Sequence, residues 1–495
     1  MLALGTGAEF LELWFGAVLR GALPVASAPP GGLGSSELAF RRLSAVVERI
    51  GARRVVGAES LAREALVLDL PALASAVVTP AAVAELAPAP FAARAPAEGD
   101  IAFLQLTSGS TGVPRAVRVT QRGAAHNPRA MLSALASADP LLEAGLAAGG
   151  ASCVSWLPLH HDMGLVGCLL SALAGGVDLL LAAPRTFLGR PETWLANLGS
   201  VPLAIAAAPN FAYGLCAERV APEMLPGADL TGWRAALCGA EMVRPETAAA
   251  FAQRFAPLGF DAAALRPCYG LAEATLAVTF EARGAGVRRA APSGAGGPSV
   301  VCLGPPVLDT TVRVTAPDGT ALGNGAVGEV HVRGPGVFAG YHNDPEATAE
   351  SLRDGWLATG DQGFLRQGEL YLTGRTKEIL ILNGQNLMPH ELEWIAESAA
   401  GGAGAARAAA FSVDGAAGER AVVVLEVEEA EPAALAELAR EIKVRTGRLL
   451  GVPLADCAFV RRGKLPKTTS GKVKRGEARA LYLARELERL PEAGA

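Results

Sequence analysis

Aromatic residues are scarce in this 495-residue chain: Phe, Trp and Tyr together make up 5% of it. Ala and Gly dominate instead, which speaks of base composition in the coding genome more than of a special fold. A basic excess is missing too. Lys and Arg number 44 against 49 Asp and Glu, a net charge of −5, so the chain as a whole does not attract the phosphates of a nucleic acid. The stretch Arg461 to Arg475 is the basic exception. The seven cysteines include no C-x-x-C pair, which leaves no paired-cysteine metal or redox motif. Cys153, Cys168 and Cys238 sit in apolar surroundings and read as buried, reduced thiols of a cytoplasmic protein. No secretion leader is legible, because the first apolar stretch carries Glu9 and Glu12 and lacks a basic start. Met163–Pro184 is the one segment that could be mistaken for a membrane span. Gly175, Gly176 and Asp178 interrupt it, so a buried helix followed by a buried strand is expected there, and no span. There is no internal repeat.

What is present begins with Leu104-Gln-Leu-Thr-Ser-Gly-Ser-Thr-Gly-Val-Pro-Arg115. The apolar run Ile101–Leu106 leads into six residues, Thr107 to Gly112, that are all Thr, Ser or Gly. A second apolar strand follows at Ala116–Val119. Strand, small hydroxylated loop, strand is a shape that wraps anionic oxygens. Gly109 and Gly112 let the backbone approach closely. Thr107, Ser108, Ser110 and Thr111 add hydroxyl donors to the loop N–H groups. Taken alone, the segment reads equally well as a polar hairpin turn. It is not a Walker A loop, which needs G-x-x-x-x-G-K-[ST] opening a helix, and Arg115 does not occupy that lysine's place.

The length exceeds what one core needs, so two or more domains are expected. Residues 1–100 alternate helical and extended patterns. A helix is expected over Phe10–Leu19, a strand over Leu23–Ala26, a helix capped by Ser36 and running to Ile50, and a short strand at Arg54–Val56. Residues 151–280 repeat that order, the mark of layered α/β sheets. Gly284–Pro298 reads as a linker or loop. Beyond it, Val312–Val314, Gly328–Arg333 and Glu369–Leu372 alternate apolar and polar residues as antiparallel strands do. Helices are expected near Pro389–Ser398 and Pro432–Thr446. The expected fold class is α/β. A large N-terminal domain of αβ-layered subdomains covers 1–374, with a small antiparallel β subdomain at about 300–373. A small α+β domain covers 375–495.

Later segments give the hydroxylated loop a context. Tyr269-Gly-Leu-Ala-Glu273, Ala358-Thr-Gly-Asp361, Thr373-Gly-Arg-Thr-Lys377 and Pro466-Lys-Thr-Thr-Ser-Gly-Lys472 follow it in order. With Thr107–Arg115 they resemble the signature motifs of the adenylate-forming superfamily. That group holds acyl-CoA synthetases, luciferases, peptide-synthetase adenylation domains and fatty-acyl-AMP ligases. The resemblance runs from the first residues to about Arg475. Trp156-Leu-Pro-Leu-His-His-Asp-Met-Gly-Leu165 is similar to a signature of the fatty-acyl-AMP ligases, and Ala208–Tyr213, Cys268–Thr275 and Gly384–Pro389 point the same way.

The resemblance implies ATP and Mg2+ as cofactors and a fatty or related carboxylic acid as substrate. Thr107, Ser108, Gly109, Ser110, Thr111, Gly112 and Arg115 would cradle phosphates. Gly239, Ala240, Glu241, Tyr269, Gly270 and Ala272 would hold adenine. Asp361 would accept both ribose hydroxyls, and Arg375 would contact ribose and phosphate. Lys472 would reach the carboxylate and α-phosphate and stabilise a five-coordinate phosphorus. A solvated basic loop is the plainer reading of Lys472, since Lys464, Lys467, Lys474 and Arg475 lie near it. Glu273, with Thr107, would hold Mg2+. A Glu inside the apolar segment Tyr269–Val278 is costly unless paired or metal-bound, and a structural ion pair is the alternative. His161 would line the wall beside the substrate carboxylate, with Trp156, His160, Asn210 and Phe211 in the acyl site. His160, His161 and Asp162 are adjacent and cannot easily converge on one metal ion. The C-terminal domain would be mobile, with its hinge at Lys377.

Some positions depart from the family pattern. Arg115 stands where Lys is usual and Ala116 where Gly is usual. His160 replaces a Tyr. The βα units that usually precede Glu9–Pro30 are missing, which would leave a sheet edge uncovered. Between Gly340-Tyr341 and Thr359-Gly360-Asp361 the fatty-acyl-AMP ligases usually carry an insertion, thought to hinder the rotation that admits CoA; this chain has none there. The expected activity is acyl-AMP formation with release of pyrophosphate, then transfer to the phosphopantetheine thiol of an acyl carrier protein in polyketide or lipopeptide biosynthesis. Ile381, where some thioester-forming relatives place a basic or polar group, favours that acceptor. The alternatives are an acyl-CoA synthetase using CoA and a non-catalytic homologue that binds a nucleotide or acyl group.

Overall fold

Short runs of Val, Leu, Ile and Ala alternate with helices over the first 280 residues. The computed structural model describes residues 1–30, 36–86, 95–107, 114–137, 139–293, 299–382, 385–401, 407–415, 418–428, 430–468 and 471–491. In it the runs form two six-stranded sheets. The first comprises β1 (Leu2–Ala3), β2 (Val25–Ala26), β3 (Val55–Gly57), β4 (Val77–Val78), β5 (Ile101–Leu106) and β6 (Ala116–Thr120), in the order β4-β3-β1-β2-β5-β6. Its pairs are parallel except the β5–β6 hairpin that brackets the hydroxylated loop. The start of the chain takes an interior place: Leu2 pairs with both Ala26 and Val56. The edges are therefore β4, only two residues long, and β6, which Tyr341 bridges at Val117.

The second sheet comprises β7 (Ser152–Ser155), β8 (Asp178–Leu181), β9 (Ala204–Pro209), β10 (Trp233–Gly239), β11 (Leu265–Gly270) and β12 (Ala277–Phe280), in the order β12-β11-β10-β9-β7-β8. Only β11–β12 is antiparallel. The few aromatics are concentrated against it. Trp233 and Trp194 lie 5.3 Å apart, and Phe251 stands edge-on to Trp233 at 5.9 Å. Scarcity of rings thus does not thin this core. Met163–Leu170 is a π-helix, continued by Ser171–Gly175 and then β8. Among the described residues no helix is long and apolar enough to cross a membrane.

The expected linker contains a strand, β13 (Arg289–Ala290), paired with β14 (Val300–Val301). Next come β15 (Thr311–Thr315), β16 (Gly328–Arg333), β17 (Leu352–Arg353), β18 (Trp356–Arg366) and β19 (Glu369–Arg375), which form an antiparallel sheet. A hairpin, β20 (Leu380–Leu382) with β21 (Gln385–Leu387), precedes a sheet of β22 (Ala408–Gly415), β23 (Gly418–Val427) and β24 (Leu454–Arg461). Strand alternation builds two faces here. Ala421, Val423 and Leu425 pack with Leu392, Leu435 and Ile442 from the helices Pro389–Ala399 and Pro432–Leu450. Val422 and Val424 pack with Ala478 from the helix Arg475–Ala484. These apolar clusters share no residue with those built before position 373. Across the divide run ion pairs: Arg42 with Glu477 at 2.8 Å, and Arg244 with the buried Glu397.

Candidate active site

Ligand sites of parallel sheets form beyond the carboxyl ends of the strands, and three such ends converge here. Asn210 and Phe211 follow β9, Gly239-Ala240-Glu241 ends β10, and Tyr269-Gly270 ends β11 with Glu273 just after. The local chain needs these small residues. A Cβ on Gly239 would lie 2.7 Å from Cys268 Sγ, and one on Gly270 only 2.0 Å from the Leu276 carbonyl oxygen. The protein's own backbone, rather than a ligand's approach, thus already requires Gly270. Ala240 takes a left-handed φ of 67°, a strained choice for a residue with a side chain. It turns Glu241 back so that its carboxylate accepts the Phe211 N–H at 2.5 Å. Asn210 Oδ1 accepts the Arg244 N–H at 3.0 Å. Ala272 is buried beside them.

Asp361 on β18 is buried and already well supplied. Tyr269 donates its hydroxyl to Oδ2 at 2.5 Å, and Arg375 donates Nε to Oδ1 at 3.0 Å. Burial first, then Asp361, push the Tyr269 hydroxyl well up, and Asp361 raises Arg375. The Tyr269 phenol is therefore tied to the Asp361 carboxylate as well as lying at the end of β11. Glu273 accepts the Tyr341 hydroxyl at 2.7 Å on Oε1. Burial raises its carboxyl above the usual range, Tyr341 and Arg375 pull it down, and Asp162 adds to the rise. The Glu273 oxygens are donors of the kind a hard cation such as Mg2+ takes, and a cation bound there would offset the burial that disfavours the ionised form. The Thr107 hydroxyl accepts the Arg115 N–H at 3.2 Å and keeps a second lone pair. Ser108, Gly109, Ser110, Thr111 and Gly112 lie outside the described residues. Arg115 lies 3.7 Å from Asp344 and has its guanidinium 5.2 Å from the Tyr341 ring centroid. Its partners are thus a carboxylate and a ring.

Lys472 is brought to the same place from between β24 and the last helix. Thr468 and Lys472 close its turn: the Thr468 N–H donates to the Lys472 carbonyl at 2.7 Å, and the Lys472 N–H to Thr468 Oγ1 at 3.0 Å. Gly471 has φ +84°, and a Cβ there would sit 2.9 Å from the Phe211 ring, so the turn rests directly on Phe211. Burial lowers the Lys472 ammonium below the usual lysine range, Asp162, Glu241 and Asp361 oppose it, and Arg375 adds to it. This is no solvated basic loop. Lys467 and Arg475 are also engaged, with Glu426 and with Glu378 and Glu393. Lys377 lies in the turn Thr376–Glu378, and its side chain is outside the description.

His161 Nδ1 lies 2.6 Å from Asp162 Oδ1. Burial pushes the Asp162 carboxyl up, and His161 and Lys472 outweigh it, so the net shift is down. His160 is held neutral, its pKa drawn to about 3 by burial and then by His161. Gln105 Nε2 donates to its carbonyl at 3.0 Å. Trp156 stacks on Phe187 at 3.9 Å and meets Phe211 edge-on at 6.1 Å. Two neighbours escaped the sequence reading, Asp162 beside Lys472 and Tyr341 on Glu273. The second had a signal, since Gly340-Tyr341 is itself a landmark. One further trio of possible metal donors, Glu281, Cys302 and Glu369, occurs among the described residues. Arg288 fills it, 2.7 Å from Glu281, 2.6 Å from Glu369 and 3.3 Å from Cys302 Sγ.

Comparison with known proteins agrees with this geometry. A family described as AMP-binding enzyme matches residues 1–342. A Caulobacter vibrioides protein provisionally named acyl-CoA synthetase is 32% identical over 510 residues, covering 97% of this chain and 85% of its own. A Mycobacterium tuberculosis protein provisionally named fatty-acid–CoA ligase is 35% identical over 424 residues, 79% of this chain and 71% of its own. Among solved structures, one from a study of fatty acyl-adenylate ligases of E. coli and L. pneumophila superposes with a TM-score of 0.86 at 30% identity, covering 98% of this chain and 88% of that one. By the family match over residues 1–342 and the 32% identity to a relative over nearly the whole chain, this chain belongs to the AMP-binding enzyme family.

Proposed function

We propose that the protein activates a fatty or related carboxylic acid with ATP and passes the acyl group to the phosphopantetheine thiol of an acyl carrier protein. The observation that carries the reading is Lys472, half-buried within reach of Asp162, Glu241 and Asp361. A cation held among carboxylates is what a reaction between two anions needs. In the first step a carboxylate oxygen attacks the α-phosphorus of ATP. A new P–O bond forms, the bond to the bridging oxygen of the β-phosphate breaks, and pyrophosphate leaves. Lys472 stabilises the charge that builds on phosphorus. Asp361 and Arg375 orient the ribose, Tyr269 and the Gly239–Glu241 turn hold the base, and Glu273 and Thr107 would hold Mg2+. Bound there, Mg2+ supplies charge neutralisation on the phosphates. The His161 ring, oriented by Asp162, lines the carboxylate end of an acyl site walled by Trp156, His160, Asn210 and Phe211. In the second step the thiol sulfur attacks the acyl carbonyl, its proton leaves to solvent or a base, and AMP departs with the C–O electron pair. The turn at Lys377 serves as the hinge between residues 1–374 and 375–495.

Likeness to the fatty acyl-adenylate ligases and the Gly384–Pro389 sequence favour a carrier protein. A second reading, CoA as acceptor, draws on another observation. Between Tyr341 and the start of β18 at Trp356 the chain forms only the short helix Pro345–Ser351 and β17, with nothing bulky to restrict domain rotation. Competition tests both. Purified enzyme receives a medium-chain acid, ATP, CoA and a holo carrier protein, and intact mass is read for each product. Acyl-carrier formation is expected; rapid acyl-CoA with the carrier unloaded makes CoA the acceptor. Absence of pyrophosphate release with any acid leaves only a binding protein.

A further inference from the structure

Among the described residues the apolar clusters of 1–374 and of 375–495 share no member, so polar contacts matter for how the smaller part is seated. Some of the ion pairs that cross are shallow. In Arg42–Glu477 the side chains stay 36% and 28% exposed, and in Arg462–Glu218, at 3.8 Å, 35% and 31%. Pairs so wetted contribute little. Arg244 is different: its side chain is 17% exposed and that of its partner, Glu397, 5%.

Arg244 stands just before the helix Pro245–Phe255, and its side chain crosses to the helix Pro389–Ala399. There His390, Trp394 and Glu397 follow one another at i, i+4 and i+7, a single helix face. The guanidinium lies 5.3 Å from the Trp394 ring centroid and pairs through Nη2 with Glu397 Oε2. The other Glu397 oxygen accepts the Ala408 N–H at 2.7 Å. Burial raises the Glu397 carboxyl, Arg244 and then Arg407 pull it down, and Glu393 adds to the rise. The main chain of Arg244 faces the other way. Its N–H donates to Asn210 Oδ1 at 3.0 Å, at the end of β9. One residue thus ties the expected acyl wall to the smaller part, by its backbone on one side and its side chain on the other.

A pair this dry exists only while the two faces meet. Apart, both groups are hydrated and their attraction is lost, so the pair favours one orientation over the rest. In that orientation the Gly471 turn rests on Phe211, and Asp162, Glu241 and Asp361 act on Lys472. We propose that Arg244 is a positioning residue: clamped by Trp394 and Glu397, it docks residues 375–495 so that Lys472 reaches the site. The inference rests on the proposed adenylation and gives Arg244 no contact with the substrates.

The test separates docking from folding. Arg244→Met keeps the stem and, because the bond to Asn210 uses the main chain, leaves that bond in place. Glu397→Gln keeps an acceptor for Ala408 and removes the charge from the opposite side. With full-length protein, ATP and a medium-chain acid that wild type accepts, either change should slow single-turnover pyrophosphate release about tenfold or more. ATP affinity by calorimetry should stay at the wild-type value, and the double variant should be no slower than the slower single one. Spin labels at Leu66→Cys and Leu449→Cys, both exposed, should report one dominant separation, which Arg244→Met broadens. An unchanged rate, losses that multiply in the double variant, or a label separation that Arg244→Met leaves intact each overturns the docking role. If wild type releases no pyrophosphate with any acid, the adenylation reading fails instead, and the label separations still decide whether Arg244 holds the two parts together.

Discussion

In the proposed reaction single residues decide the chemistry, and Lys472 decides most. Its charge would be needed chiefly as the phosphorus becomes five-coordinate. Lys472→Ala should lower acyl-AMP formation by about 10²–10³ or more while ATP binding and Tm stay near wild type. Pyrophosphate release and calorimetry measure the two separately. Asp361 is a harder case than its motif suggested. Removing it leaves Tyr269 and Arg375 without their acceptor, besides the ribose hydroxyls. Asp361→Ala should weaken ATP by roughly 1–3 kcal/mol and also lower Tm. Equal wild-type affinity for ATP and a 2′,3′-dideoxy analogue would remove Asp361 from the ribose. At this scale the motifs were legible because each is a contiguous string. The contacts between strings were not. Tyr341 meets Glu273 across 68 residues, and no periodicity reports such a pair.

Among the elements, turns carry more information than strands. The Lys472 turn can rest on Phe211 only because Gly471 adopts φ +84° and lacks a Cβ. Gly471→Ala meets both obstacles at once, a strained backbone and a ring 2.9 Å away. It should cut acyl-AMP formation at least tenfold and leave the protein folded by circular dichroism; an active Gly471→Ala enzyme would show that the turn does not need this seat. The longer elements were readable from pattern: the helix Ser36–Ile50 and the strand Gly328–Arg333 stand where periodicity put them, and the strand expected over Glu369–Leu372 runs on to Arg375. β1 and β13 were missed because two residues cannot display a period and their pairing is set by distant partners. The π-helix Met163–Leu170 was expected as an ordinary helix, since one extra residue per turn does not alter a wholly apolar run.

For the whole molecule, burial of histidine sets an acid limit. His390 is buried, and burial draws its pKa to about 4, with Glu393 raising it and Arg475 and Arg244 lowering it. The unfolded value is near 6.5. As pH falls from 6.5 to 4 the unfolded chain takes up a proton that the folded chain refuses, so stability falls across that window and levels off below it. The loss is on the order of 3 kcal/mol. His160, with its pKa drawn to about 3, adds to the same fall, so His390→Gln should reduce the slope of the Tm profile between pH 6.5 and 4 without abolishing it, and an unchanged slope would place the acid sensitivity elsewhere. The antiparallel strands that follow residue 300 were legible in the change of texture there. How the parts meet was not, because Arg42 and Glu477 lie 435 positions apart.

Phe211 is touched from several sides. Trp156 meets it edge-on within the acyl wall, Glu241 holds its backbone, Gly471 rests on its ring, and the Arg407 guanidinium lies 5.5 Å from its centroid. Under the proposed function, the wall that meets the acid is therefore also the seat of the Lys472 turn. An acid of the wrong girth that displaces this ring leaves Lys472 without its resting place, even when the acid itself is held firmly. Discrimination should then be kinetic: poor acids should differ from good ones mainly in kcat, with KM nearly level, so that the enzyme proofreads by failing to close rather than by failing to bind.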